Sequence, residues 1–151
     1  MTYRILFVCL GNICRSPSAE TVLRAKAHQR GLDLFVDSAG TGNWHVGKPP
    51  YGPMQEAARA RGYEMSDLRA RQVRGEDFKC FDLIIAMDQD NMRNLQHLKQ
   101  GALRAQVSLL TDYVPNSAID HVPDPYYTRD FDGALDLIEQ ASDGVLDHLM
   151  R

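Results

Sequence analysis

Two residues six positions apart carry the chemistry of the chain's first strand and turn: Cys9 and Arg15, in Val8-Cys9-Leu10-Gly11-Asn12-Ile13-Cys14-Arg15-Ser16-Pro17. The stretch reads as a strand end, a tight turn and a helix start, an arrangement in which successive backbone N–H groups converge on an anion. Gly11 and Asn12 tolerate the positive φ angles that such a cradle needs. The amides of Leu10, Gly11, Asn12, Ile13, Cys14 and Arg15 would then surround a phosphate, with the Cys9 sulfur beneath it, favoured as a thiolate by the helix start. Arg15 can place two parallel N–H bonds on phosphate oxygens, which a lysine cannot. The Ser16 hydroxyl falls where it can hydrogen-bond the sulfur and support it as a leaving group. Cys-x5-Arg followed by Ser or Thr arises by chance in roughly one chain in fifty of this composition. The competing reading, a structural turn with a small buried thiol, is the weaker one.

The elements that must position this loop are legible on either side of it. Tyr3 to Cys9 is an apolar run of strand length, and Ser16 to Gln29 reads as a helix with Pro17 in its first turn. Leu34-Phe35-Val36 begins a second strand that ends in Asp37-Ser38-Ala39-Gly40. A Gly- and Pro-rich loop follows over Thr41 to Pro53, then a helix from Met54 to Arg61 stopped by Gly62. Asp82 to Met87 has the continuous apolar character of a buried parallel strand. After it come a helix from Asp88 to Lys99, a strand from Gln106 to Leu110, a long loop from Asp112 to Arg129 with three prolines, and a closing helix from Phe131 to Met150. Four strands alternating with helices imply an α/β fold, a parallel sheet covered on both faces. Such sheets bind ligands beyond the carboxyl ends of their strands, where Cys9, Ser38 and Asp88 all fall.

Bulk properties narrow the setting. A chain of 151 residues, 44% hydrophobic and 25% charged, fits a single globular domain over residues 1–151. No apolar run approaches the ~20 residues of a membrane helix, and the N-terminus lacks the features of a signal peptide; the expected compartment is the cytoplasm. A net charge of −3 argues against a nucleic-acid binder. Three cysteines without a Cys-x-x-Cys and five scattered histidines suggest free thiols and no metal site.

The loop from Val8 to Pro17, with Asp37-Ser38-Ala39-Gly40-Thr41, Ala86-Met87-Asp88 and Asp124-Pro125-Tyr126-Tyr127 in that order, resembles the low-molecular-weight protein tyrosine phosphatases, in their bacterial form. The resemblance runs from about Tyr3 to Leu149. It implies a four-stranded parallel sheet flanked by helices in a flavodoxin-like three-layer arrangement, no cofactor, and hydrolysis of phosphotyrosine and aryl phosphates through a phosphocysteine on Cys9. It matches Asp124 to the general acid; the bland alternative is a turn aspartate before proline. A phenolate leaving group has a pKa near ~10 and benefits from a proton donor. Trp44 and Tyr126 match the walls of a substrate slot, and Tyr127 fits either a third wall residue or a surface tyrosine open to regulation; the bland alternative is that one or more of these aromatics plug the core. Cys14 fits either a redox partner for Cys9 or a small packing residue. Ser38 and Asn12 look like braces for the loop, and Asp88 like a helix cap. The implied partners are phosphotyrosine proteins, with a bacterial tyrosine kinase as one candidate, and the expected state is a monomer.

One segment departs from the family pattern: Lys48-Pro49-Pro50-Tyr51-Gly52-Pro53 stands where many members carry an acidic residue and then an arginine. Rival readings are a thiol-dependent arsenate reductase, for which Cys80 alone leaves the thiol relay incomplete, a non-catalytic phosphate-binding module, which would not need both Cys9 and Asp124, and a flavodoxin-like cofactor carrier, possible on fold alone.

Overall fold

The computed structural model describes residues 2–99, 104–115 and 118–151. Four strands form one parallel sheet: β1 (Tyr3–Cys9), β2 (Leu34–Gly40), β3 (Leu83–Ala86) and β4 (Gln106–Leu109), in the order β2-β1-β3-β4. The α/β expectation and the four strands are therefore met. The chain passes from β1 outward to β2 and then returns to the other flank of β1, so the order reverses at the central strand. The crevice at such a reversal is where open α/β sheets bind ligands. In register, Cys9 pairs with Gly40 and Val8 with Ala86, which brings three strand ends together.

Alternation along β1 divides the core. Ile5, Phe7 and Cys9 face a cluster with Leu23 of α1 (Arg15–Gln29), Met54 of α2 (Gly52–Arg59) and Leu135 of α6 (Phe131–Leu149). Leu6 and Val8 face the other way, toward Phe78 of α3 (Asp77–Cys80) and Leu95 of α4 (Gln89–Leu98). The sheet is thus covered on both faces, which is why residues 5–9 of β1 and the whole of β3 read as unbroken apolar runs.

Differences from the sequence reading are local. Helix α2 begins two residues early, since Pro53 fits a first turn where no N–H is needed. The long loop contains a 3-10 turn at Leu110–Tyr113 and a one-turn helix, α5 (Pro125–Thr128). Residues 116 and 117 of that loop lie outside the described residues.

Candidate active site

Because β1 ends at Cys9 and α1 begins at Arg15, residues 10–14 must turn between them. The positive φ falls on Asn12, at 57°, and not on Gly11. Asparagine tolerates this region because its short amide can bond locally. Its backbone N–H donates to Cys9 Sγ at 3.3 Å. Its side-chain NH2 donates to Ser16 Oγ at 2.7 Å and Ser38 Oγ at 2.9 Å. Its Oδ1 accepts the backbone N–H of Arg71 at 3.0 Å. Ser38 in turn donates to Oε1 of Glu20, 2.7 Å away. Burial pushes the Glu20 carboxyl up, against the opposing pull of Ser38 and Arg24.

The groups at the ends of this chain set its direction. An amide N–H from Arg71 must meet the oxygen of Asn12, so the NH2 faces the two serines. Ser38 accepts from Asn12 and spends its own proton on the carboxylate, which can only accept. Ser16 also accepts from Asn12, leaving its proton for Cys9 Sγ at 3.0 Å or the Ala39 carbonyl at 3.4 Å; the closer approach is to sulfur. The sulfur is therefore offered N–H and O–H donors, the environment that suits a thiolate. The loop also rests on β2: a Cβ at Gly40 would come within 2.8 Å of the Leu10 carbonyl oxygen. Only glycine permits that approach.

Arg15 is 3% exposed. Its Nη1 donates to Asp88 Oδ2 at 2.7 Å and to the Val122 carbonyl at 3.0 Å, and its Nη2 reaches Asp124 Oδ2 at 3.4 Å. Its Nε is buried without a partner among the described residues. Burial alone would lower the guanidinium pKa, but Cys9, Asp124 and Asp88 outweigh it and raise it. One corner of the fork is thus anchored, while the Nε and Nη2 edge has its bonding capacity largely open to an anion. Asp88 does two things at once, since its Oδ1 accepts from Asn91 N at 2.8 Å and caps α4.

Cys9, Arg15 and Asp124 line one cavity of about 270 Å³, together with Leu10, Gly11, Ile13, Cys14, Trp44, His45, Tyr126 and Tyr127. Asn12, Ser16 and Ser38 are buried outside that lining; Asn12 donates to both serines, and Asn12 and Ser16 are the two of them that reach Cys9. Trp44 and Tyr127 are 67% and 72% exposed, which rules out a core-plugging role for them. Tyr126 lies between His45 and Tyr127, with ring centres 6.5 and 5.2 Å away. Asp124 is the N-cap of α5, accepting from Tyr126 N at 3.1 Å, so it is a turn aspartate as well as a cavity residue. Cys14 is a buried free thiol whose pKa is raised by burial, then by Cys9 and Asp124.

Sequence reasoning missed Glu20, His45, Val122 and the Arg71 amide. Glu20 did leave a signal: it sits one turn after Ser16 among the buried positions of α1, where a lone carboxylate is out of place. The others become visible only once the chain is folded.

The chain matches the family model for low molecular weight phosphotyrosine protein phosphatases over residues 4–151. It is 42% identical over 149 residues to YfkJ, a low molecular weight protein-tyrosine-phosphatase of Bacillus subtilis, covering 97% of this chain and 96% of the relative. It is 36% identical over 148 residues to PtpA of Staphylococcus epidermidis, of the same name class, covering 97% and 94%. The crystal structure of YfkJ superposes with a TM-score of 0.93, at 41% identity, over 99% of this chain and 96% of that one. A protein tyrosine phosphatase from Entamoeba histolytica, with Hepes in its active site, superposes at 0.92 with 35% identity, over 99% and 97%. A sulfur offered two donors and a half-open guanidinium on one cavity thus belong to a chain that is similar to named phosphatases along nearly its whole length; it is a member of the low molecular weight protein-tyrosine-phosphatase family.

Proposed function

We propose that the protein hydrolyses phosphotyrosine and aryl phosphates through a phosphocysteine on Cys9. The observation that supports this best is the convergence of Cys9, Arg15 and Asp124 on one aromatic-rimmed cavity. The Cys9 sulfur attacks phosphorus in line, the bond from phosphorus to the aryl oxygen breaks, and Asp124 gives that oxygen its proton. Water then attacks the phosphocysteine, Asp124 takes the proton back, and sulfur leaves as a thiolate supported by Ser16 and the Asn12 amide. Charge on the equatorial oxygens is met by the amides of Leu10 to Arg15 and by the free edge of the Arg15 fork. Trp44 and Tyr126 are the walls that admit a long aromatic ester more readily than a short phosphoserine. The substrates are phosphotyrosine proteins, a bacterial tyrosine kinase among them, met by a monomeric enzyme in the cytoplasm.

The test uses aryl phosphates with chelator and reductant present. Cys9→Ser is expected to lose turnover yet still bind inorganic phosphate. Asp124→Ala should lose about 10²-fold or more in kcat/KM on phenyl phosphate and much less on an ester with a good leaving group. Equal losses on both would remove Asp124 from the acid role, and an inactive wild type would remove the phosphatase reading for this site.

A further inference from the structure

The segment that departs from the family pattern contributes Tyr51, and its contacts are specific. The Tyr51 backbone N–H donates to the Ile13 carbonyl at 2.8 Å, tying it to the phosphate loop. Its ring lies 5.1 Å from that of Tyr126 and 6.2 Å from that of Phe131. Its hydroxyl accepts a hydrogen bond from Arg129 Nη1 at 2.8 Å. Arg129 is the residue that closes α5, in the left-handed conformation at φ 65°. Its guanidinium stands over the rings of Tyr51 and Phe131, 5.4 and 5.1 Å from their centres, a cation–π arrangement.

Helix α5 carries Asp124 as its N-cap and Arg129 as its C-cap. A single turn has too few internal bonds to hold its own shape, and a left-handed arginine is unfavourable without outside support. The direction of this turn must therefore come from tertiary contacts at its two ends. Upstream, Val122 is held by the Met87 carbonyl at 2.8 Å and by Arg15 Nη1 at 3.0 Å. Downstream stand Tyr51 and Arg129. The tie between Asp124 and Arg15 Nη2 is long, at 3.4 Å, and uses the same guanidinium edge that an incoming phosphate would occupy.

We infer that Tyr51 and Arg129 form a bracket between the phosphate loop and the downstream end of α5, which makes Tyr51 a positioning residue for Asp124 and for the Tyr126 wall. The inference about catalysis rests on the reading of Asp124 as the proton donor. The bracket itself does not.

Two measurements separate these. First, kcat/KM, which covers the steps up to departure of the aryl oxygen, is compared for phenyl phosphate and 4-nitrophenyl phosphate. Tyr51→Ala is expected to lose about tenfold on the first and less than about threefold on the second. Tyr51→Phe should fall between wild type and Tyr51→Ala, and inhibition by inorganic phosphate should be unchanged. In an Asp124→Ala background, Tyr51→Ala should add nothing to the difference between esters. Second, hydrogen exchange at the amides of Tyr127, Thr128 and Arg129, which donate to the Asp124 and Pro125 carbonyls, should speed up in Tyr51→Ala, while the amides of Leu10 to Arg15 exchange as in the wild type. Unchanged exchange at 127–129 would overturn the bracket. Faster exchange with equal losses on both esters would retain the bracket and overturn the positioning role. An Asp124→Ala enzyme that loses equally on both esters points instead to failure of the proton-donor reading, with the exchange result still deciding the bracket.

Discussion

Asn12 is satisfied on every side, by Cys9, Ser16, Ser38 and the Arg71 amide, and the last member of its chain, Glu20, is a carboxylate 3% exposed. Burial raises the Glu20 pKa above its ordinary value of 4.5. In an unfolded chain this proton would leave first, so the native state holds more protons at pH values just above 4.5. The contribution to stability is therefore greatest below the unfolded value and is lost as pH rises through the folded one. Glu20→Gln has no such term. Urea midpoints of the two proteins, measured from pH 4 to pH 8, should show the wild type losing ground to Glu20→Gln across the lower part of that range. A flat difference would count against the buried-carboxylate account. At this scale the sequence displayed the contiguous residues well. Cys9, Arg15 and Ser16 follow from one loop and its spacing, whereas Asp124, over a hundred positions away, was reached by resemblance. Tyr51 and Arg129 are 78 positions apart and had no pattern to announce them.

Helix α4 shows how an element serves the site through its first residue. Asp88 ends the stretch after β3 with an extended backbone, caps the helix with one oxygen and holds Arg15 with the other. Two substitutions separate these tasks. Asp88→Asn keeps a capping side chain and loses the carboxylate that holds Arg15, so unfolding stability should change little while inhibition by phosphate weakens several-fold. Asp88→Ala loses the cap as well and should cost a further ~1 kcal/mol in urea unfolding. If both variants bind phosphate as the wild type does, Asp88 does not orient the guanidinium. The cap was legible from an aspartate before a helical stretch; the ion pair was not, because it joins residues 73 positions apart. For the same reason the strands were read well and the helices α3 and α5 were not. A run of four residues is too short to display a helical period, and both are held by what packs on them.

Two half-cores meet across the sheet, and the site sits at its edge with one wall carried on the segment between the 3-10 turn and α6. The seating of α6 therefore matters to the whole molecule. It packs on α1 and on the 3-10 turn, where Gly144 lies against Tyr113. Glycine inside a helix is normally worth replacing, with alanine gaining about 1 kcal/mol. Here a methyl group would overlap the Tyr113 carbonyl oxygen, and rigid backbone cannot move aside as a side chain can. Gly144→Ala should therefore destabilise by about 1–3 kcal/mol, read as a lower thermal midpoint. A rise in the midpoint would show that the helix shifts freely on its neighbours. The three-layer arrangement was legible because apolar runs and their alternation with helices are carried by many residues at once. The close approach at Gly144 was not, because it depends on a single missing Cβ.

The contact between Asn12 and residue 71 has a consequence for how the family can vary. The donor is a main-chain N–H, so the loop's key asparagine asks nothing of the side chain at that position. Nineteen of the twenty amino acids present the same group, and proline alone removes it. Selection for the phosphate loop alone would then leave position 71 free to drift, and the arginine found there answers to a different demand, since its guanidinium pairs with both Asp37 and Asp77. Position 71 can thus serve the loop through its main chain while its side chain answers to the two aspartates.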